Sequence, residues 1–216
     1  MNEKVDNALN RLHGILPLKK RQANCSEEIK QLHQQILHSF VSKGRMLTKE
    51  EMAQQVSNLD EAIDVLRCND MVTFSDAGEP IGAYPFTMEK REHTVKVNSF
   101  QVHAMCALDA LAIAPMFNIK TEIHSRCHVT ATPIHIQQLS QKIENVDKAG
   151  GIYLGIAWGA ADNAVCCADS LCMEMIFLQD DSIAEEWLAV DPENREIFTL
   201  LESVAFAERF FAPLIQ

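Results

Sequence analysis

No stretch of this 216-residue chain stays apolar for long enough to cross a membrane. Its start, Met1-Asn2-Glu3-Lys4, lacks the basic residues and apolar run of a secretory signal. The cytoplasm is therefore the expected compartment, with no membrane partner. Positive charge is scarce: 19 Lys and Arg stand against 30 Asp and Glu, a net charge of -11. A phosphate backbone would be repelled on average, so nucleic acid is not expected as a partner. Cys-x-x-Cys pairs are absent, which disfavours a structural zinc site. Met-x-x-Met arrays are absent too, so the nine methionines read as core filler rather than copper ligands. No repeat or low-complexity linker divides the chain. What remains is an ordinary globular composition, 47% hydrophobic and 23% charged, with ample length for a core. Seven cysteines are an odd number in a chain too large to need disulfide staples. In a reducing compartment they are expected as free thiols, ligands or nucleophiles.

The first part of the chain reads as helices. Ser26-Glu27-Glu28 is an N-cap followed by acids, and Ile29, Leu32, Ile36, Leu37, Phe40 and Val41 follow at helical spacing up to Gly44. Thr48-Lys49-Glu50-Glu51 is a capping box for a short helix to about Val56, and Ser57-Asn58-Leu59-Asp60 opens a third. Met71–Phe74 and Pro80–Tyr84 flank the turn signal Asp76-Ala77-Gly78. Three helices and a hairpin make a winged-helix order. The third helix, however, carries Asp60, Glu61, Asp64 and Asp70 against Arg67 alone, a poor fit to DNA. Further on, His93–Asn98, Lys120–His124, Ile134–Ile136, Ile152–Trp158 and Met173–Leu178 read as strands. A helix starting at Cys106 is expected to end around Pro115. Ser182 is expected to cap a helix carrying Trp187, and Glu196–Ile215 reads as an amphipathic helix. The expected fold is α+β: a winged-helix-like helical module, residues 1–88, followed by a mixed α/β catalytic core, residues 89–216.

Chemistry concentrates at Cys106-Ala-Leu-Asp109, inside the apolar run Val102–Phe117. Positions three apart share a helix face. A carboxylate is costly to bury among apolar residues, so it calls for a reason. A lone Cys-x-x-Asp is weak, because a free cysteine behaves as a small hydrophobe. Cys127 reads either as a third ligand or as a buried structural thiol, and inert burial favours the latter. Cys166, Cys167 and Cys172 form a last cluster; adjacent cysteines chelate one ion poorly, but one of that pair could lie near the site. His103 and His128 invite a Cys–His nucleophile, but no oxyanion or triad pattern accompanies them.

Five segments in order change the weight of these residues. They are Asp76-Ala-Gly-Glu-Pro-Ile-Gly82, His103-Ala-Met-Cys-Ala-Leu-Asp109-Ala-Leu, His124-Ser-Arg-Cys127-His-Val-Thr-Ala-Thr-Pro133-Ile, Ser170-Leu-Cys172-Met-Glu-Met-Ile-Phe177 and Ala184-Glu-Glu-Trp187. In this order and spacing the chain resembles the organomercurial lyase (alkylmercury lyase) family, strongly from about Ile81 onward. The resemblance implies a carbon–mercury lyase of mercury resistance and detoxification, cleaving by protonolysis. It implies that Cys106 and Cys172 bind the metal, that Asp109 carries the proton and also contacts the ion, and that Cys127 is structural. No organic cofactor is implied. Hg2+ is the bound product, small external thiols are co-reactants, and a mercuric reductase with a thiol pair is an acceptor for the ion. Two departures stand out. The stretch Asp162–Asp169 has no positive charge where the family carries a basic residue, and Met173, Glu174 and Ile176 follow Cys172. Two alternatives therefore stay open: a related lyase acting on another organometal or organometalloid, and a metal-binding winged-helix regulator without lyase activity.

Overall fold

A computed structural model describes residues 2–163 and 166–216. Five helices come first: α1 (Glu3–Ile15), α2 (Leu18–Ala23), α3 (Glu27–Lys43), α4 (Lys49–Ala53) and α5 (Leu59–Cys68). Their starts are chemically marked. Asn2, Ser26, Thr48 and Asn58 each accept a backbone N–H of the first turn, and Thr48 with Glu51 closes a capping box. Gly44 ends α3 at φ 69°, and a Cβ there would lie 2.7 Å from the Phe100 ring. Both the backbone angle and the close approach require glycine. The expected helix to Val56 stops at Ala53 instead. Helix α1, unread in the sequence, buries Val5, Ala8, Leu9 and Leu12 along one stripe.

The strands β1 (Thr73–Phe74), β2 (Pro80–Ala83), β3 (Phe86–Thr87), β4 (His93–Val97) and β5 (Phe100–Ala104) precede α6 (Ala107–Phe117); β6 (Lys120–Arg126), β7 (Pro133–Leu139) and β8 (Lys142–Ile143) follow it. They form one eight-stranded sheet in the order β1-β2-β3-β5-β4-β6-β7-β8. Every pairing in it is antiparallel. The hairpin that follows α5 is therefore the edge of the large sheet, its second strand hydrogen-bonded on to β3. After α7 (Val146–Ala149), a second antiparallel sheet, β10-β9-β11, is built from β9 (Tyr153–Ala157), β10 (Met175–Leu178) and β11 (Arg195–Thr199). Helix α8 (Asp181–Ala189) precedes β11, and α9 (Leu200–Phe211) follows it. The result is a mixed α+β fold around a large antiparallel sheet.

Three expectations shift, and one strand was unread. Residues 100–104, of which the last three open the apolar run Val102–Phe117, are the strand β5. Asp180 rather than Ser182 caps α8, accepting the N–H of Ile183 at 3.0 Å. The tail is not helical throughout: 195–199 pair with β9 as strand, and Thr199 and Glu202 form the capping box that starts α9. Lastly, α6 runs through Pro115 to Phe117, where Asn118 at φ 52° closes it.

Helix α6 is the centre of the molecule. Residues Ala107 to Met116 are all buried, so it has no solvent face. The inward faces of β4, β6 and β7 supply Val95, Val97, Ile123, Ile134 and Ile136 to the same core, and α9 packs on the helix. Pro115 has no N–H to give the Leu111 carbonyl one turn back. Gln138 of β7, fully buried, supplies that bond from Nε2 at 3.1 Å and also donates to the Ser140 carbonyl at 2.8 Å. Orphaning a buried carbonyl costs about 1–3 kcal/mol. Gln138→Leu is accordingly expected to lose that much stability in urea unfolding, with the denaturant slope unchanged.

Candidate active site

Strand β5 carries the chain into the N-terminus of α6, and the first chemical group stands at that junction. Cys106 is the N-cap: its backbone is extended, and its Sγ accepts the N–H of Asp109 at 3.4 Å. A cap bond of this form turns residue 109 back toward residue 106, giving the shared face that the spacing anticipates. The third group comes from far along the chain. Cys172 lies in a 3-10 turn, Leu171–Glu174, directly before β10, a strand that packs on α6. One donor atom from each of Cys106, Asp109 and Cys172 lies within 4.8 Å of the other two. Met175, one residue beyond the turn, places its Sδ 3.7 Å from Cys106 Sγ. Two sulfurs and a carboxylate thus face one point, a donor set suited to a soft metal.

The site is dry. Cys106 and Asp109 are each 1% exposed and Cys172 4%. Oδ2 of Asp109 has no hydrogen-bond partner among the described residues. A buried carboxyl with one oxygen unpartnered is a rare and expensive arrangement. Burial lifts Asp109 from its ordinary 3.8 to about 7, with Cys106 pulling the other way. Burial also pushes the Cys106 thiol up from 9.0 to about 12. Cys172 is held well above 9.0, first by hydrogen bonding with Cys106, then with Cys167, then by burial. At neutral pH both thiols therefore rest as S–H, beside a carboxyl balanced between its two forms. A group poised in this way is fit to take a proton and return it.

Other residues hold the surroundings in place, and of these the sequence reading pointed only to the Cys166–Cys167 pair. Cys167 Sγ stands 3.7 Å from Cys172 Sγ. Asp70 accepts the Cys167 N–H at 3.3 Å and the Cys166 thiol at 3.2 Å. The Tyr84 hydroxyl accepts the Ala168 N–H at 2.8 Å and donates to Asp70 at 3.2 Å. Residues before and within the large sheet thus hold the segment 166–168 against the site. Asp70 gives one sequence signal, a polar residue closing an otherwise amphipathic helix, but nothing there points 97 residues ahead. Of the divergent stretch 162–169, residues 164 and 165 lie outside the described residues.

The remaining candidates stand apart. Cys127 is buried in a turn, where its N–H donates to the Thr132 carbonyl and its carbonyl accepts from Ala131. His103 is half-buried, with Nδ1 3.2 Å from the Arg91 carbonyl oxygen, and His128 is exposed. Neither histidine joins the cluster among the described residues. Glu122, His124 and His135 also converge within 4.8 Å, across β6 and β7. Both histidines are exposed, so a ligand there would stay in water. A cleft of about 700 Å³ is walled by Arg21, Arg67, Asp70, Trp158, Cys166 and Cys167; its lining stops short of Cys106, Asp109 and Cys172.

The alkylmercury lyase family model, MerB, matches residues 86–212, more than half of the chain. An alkylmercury lyase of Bacillus cereus is 26% identical over 170 residues, 78% of this chain and 76% of that protein. One of Streptomyces lividans is 23% identical over 181 residues, 83% of this chain and 80% of that protein. Among solved structures, a crystal structure of the mercury-bound form of MerB2 superposes with a TM-score of 0.72 at 18% identity, over 92% of this chain and 98% of that one. The matched span includes the cap that carries Cys106 and the turn that carries Cys172, and on that breadth the chain belongs to the alkylmercury lyase family.

Proposed function

We propose that this protein is an organomercurial lyase that breaks the carbon–mercury bond by protonolysis, with Cys106 and Cys172 as metal-binding thiols and Asp109 as proton carrier. The observation that carries this reading is the buried convergence of two thiols and one carboxyl within 4.8 Å. The substrate is an organomercurial carried by a small thiol, R–Hg–SR′. Cys106 forms a sulfur–mercury bond and R′S leaves with the Cys106 proton as R′SH. Cys172 then bonds to mercury and gives its proton to the Asp109 carboxylate. Two thiolates push electron density onto mercury and so onto its carbon, making that carbon basic. Asp109 delivers the proton to the carbon, and R–H departs. The products are a hydrocarbon, a free thiol and Hg2+ held by two thiolates, with the Asp109 carboxylate beside the dication. No electrons are transferred.

The site's dryness serves the step. It keeps the Asp109 proton available near neutral pH, since burial disfavours the charged carboxylate. It also holds acid and carbon together, which makes the acid far more effective than a free one. Small thiols, or a reductase with a thiol pair, then remove the ion. Residues 1–88 are read as a winged-helix-like cover for the core; the acids of α5, Asp60, Glu61 and Asp64, argue against DNA as its partner.

Phenylmercuric acetate with excess dithiothreitol should yield benzene, measured by gas chromatography. Cys106→Ser, Cys172→Ser and Asp109→Asn should each lower its rate by about 10²–10⁴-fold, the range for a lost acid–base or nucleophilic group. Undiminished benzene release from Cys106→Ser or Asp109→Asn would remove the site assignment.

The same carboxyl weakens the fold. The folded-state value, about 7, lies above the unfolded 3.8. Below pH 4 the group is protonated in both states and costs nothing. Between pH 4 and 7 it ionises in the unfolded chain first, and above 7 the full penalty applies. At about 1.4 kcal/mol per tenfold, that penalty approaches ~4 kcal/mol. Asp109→Asn is therefore expected to raise stability by about 2 kcal/mol at pH 8, after the cost of burying an amide. The gain should vanish toward pH 4, as urea midpoints at the two pH values would report.

A further inference from the structure

The mechanism above uses one of the three cysteines on the segment leading into β10. Cys167 is the next thiol outward. Its Sγ is 3.7 Å from Cys172 Sγ, so Cys172 has Cys167 as well as Cys106 within bonding reach of a shared ion. Cys167 is 7% exposed and lines the 700 Å³ cleft; Cys106 is 1% exposed and does not. The Cys167 backbone is fixed by Asp70 and its neighbour Ala168 by Tyr84, which holds the thiol against Cys172. An external thiol approaching through the cleft thus meets Cys167 before it meets either metal-binding sulfur.

A product ion bound by two buried thiolates faces an exit problem. Exchange needs an incoming sulfur at the metal, and the incoming ligand must be a thiolate. Cys106 does not border the cleft that Cys167 lines. We propose that Cys167 is an exit relay for Hg2+, taking the ion from the Cys106–Cys172 pair and presenting it to an external dithiol in the cleft. The inference rests on the lyase reading, since it concerns that reaction's product. In the transfer a Cys167–mercury bond forms and the Cys106–mercury bond breaks. The Cys167 proton passes to the departing Cys106 thiolate. Mercury keeps two thiolates throughout and its oxidation state is unchanged. In the cleft the two thiols of the external molecule replace Cys172 and Cys167, returning their protons to those sulfurs. Cys106 and Asp109 are then ready for the next substrate.

The test loads wild-type protein and Cys167→Ser with one equivalent of mercuric chloride and mixes each with excess dithiothreitol. The mercury still on the protein after rapid desalting at timed intervals reports release. The variant is expected to release the ion about tenfold more slowly. Equal rates would make Cys167 a bystander, and faster release would make it a third ligand that retains the ion; either result overturns the relay. A mercuric-soaked wild-type crystal, which needs no variant, should show the ion divided between the Cys106–Cys172 and Cys172–Cys167 pairs. An ion confined to the first pair, with Cys167 turned away, overturns the proposal too. Benzene formation by the wild type is measured alongside. Its absence would count against the lyase reading, while the release rates of added mercuric ion would still decide the relay.

Discussion

Keeping water away from one carboxyl organises this molecule. Asp109 lies in a pocket of thiols and aliphatic side chains, with one oxygen unpartnered among the described residues. Left to itself, such a group would pull in solvent or distort its helix. The helix cannot yield, because its whole circumference is packed: sheet on one side, α9 on another, β10 at its N-terminal end. The chemical fitness of the site and the energetic cost of the fold are thus the same fact. A better-solvated Asp109 would be a more comfortable residue, but one that holds no proton near neutral pH.

The two sulfurs reach the carboxyl by different physical routes. Cys106 is brought by local geometry, since an N-cap and the third residue of its helix lie within bonding distance in any helix. Cys172 is brought by tertiary packing alone, through the 3-10 turn ahead of β10. Its own segment is steadied from outside, by Asp70 and Tyr84 on the earlier half of the chain. Position along the sequence and position in the site are therefore unrelated for this residue, and its placement depends on both sheets being assembled.

This difference explains what could be read without coordinates. The Cys106–Asp109 face was legible because its cause is a helical period inside an apolar run. Most strands were legible because β4, β6 and β7 alternate buried and exposed positions. The strand β5 was hidden because its last residues, Val102 to Ala104, merge with the apolar helix that follows. The strand β11 was hidden because Ile197 and Phe198 also suit an amphipathic helix, and only pairing with β9 selects the extended form. That Cys172 meets Cys106 was suggested by family resemblance, not by any pattern in these residues. The contact between Cys167 and Cys172 depends on a tight turn that leaves no periodic trace.

The proline in α6 has a further effect at the opposite end of that helix. A helix rises 1.5 Å for each residue. A buried helix with an uninterrupted ladder could slide or rewind by one residue and keep nearly all its bonds. Here one carbonyl, that of Leu111, is served by a side chain from the neighbouring sheet, and a one-residue slide would carry it away from Gln138 by that rise. The imino acid works as an indexing notch: it fixes the axial register of α6, and so the depth at which Cys106, nine residues back, and Asp109, six residues back, stand in the core.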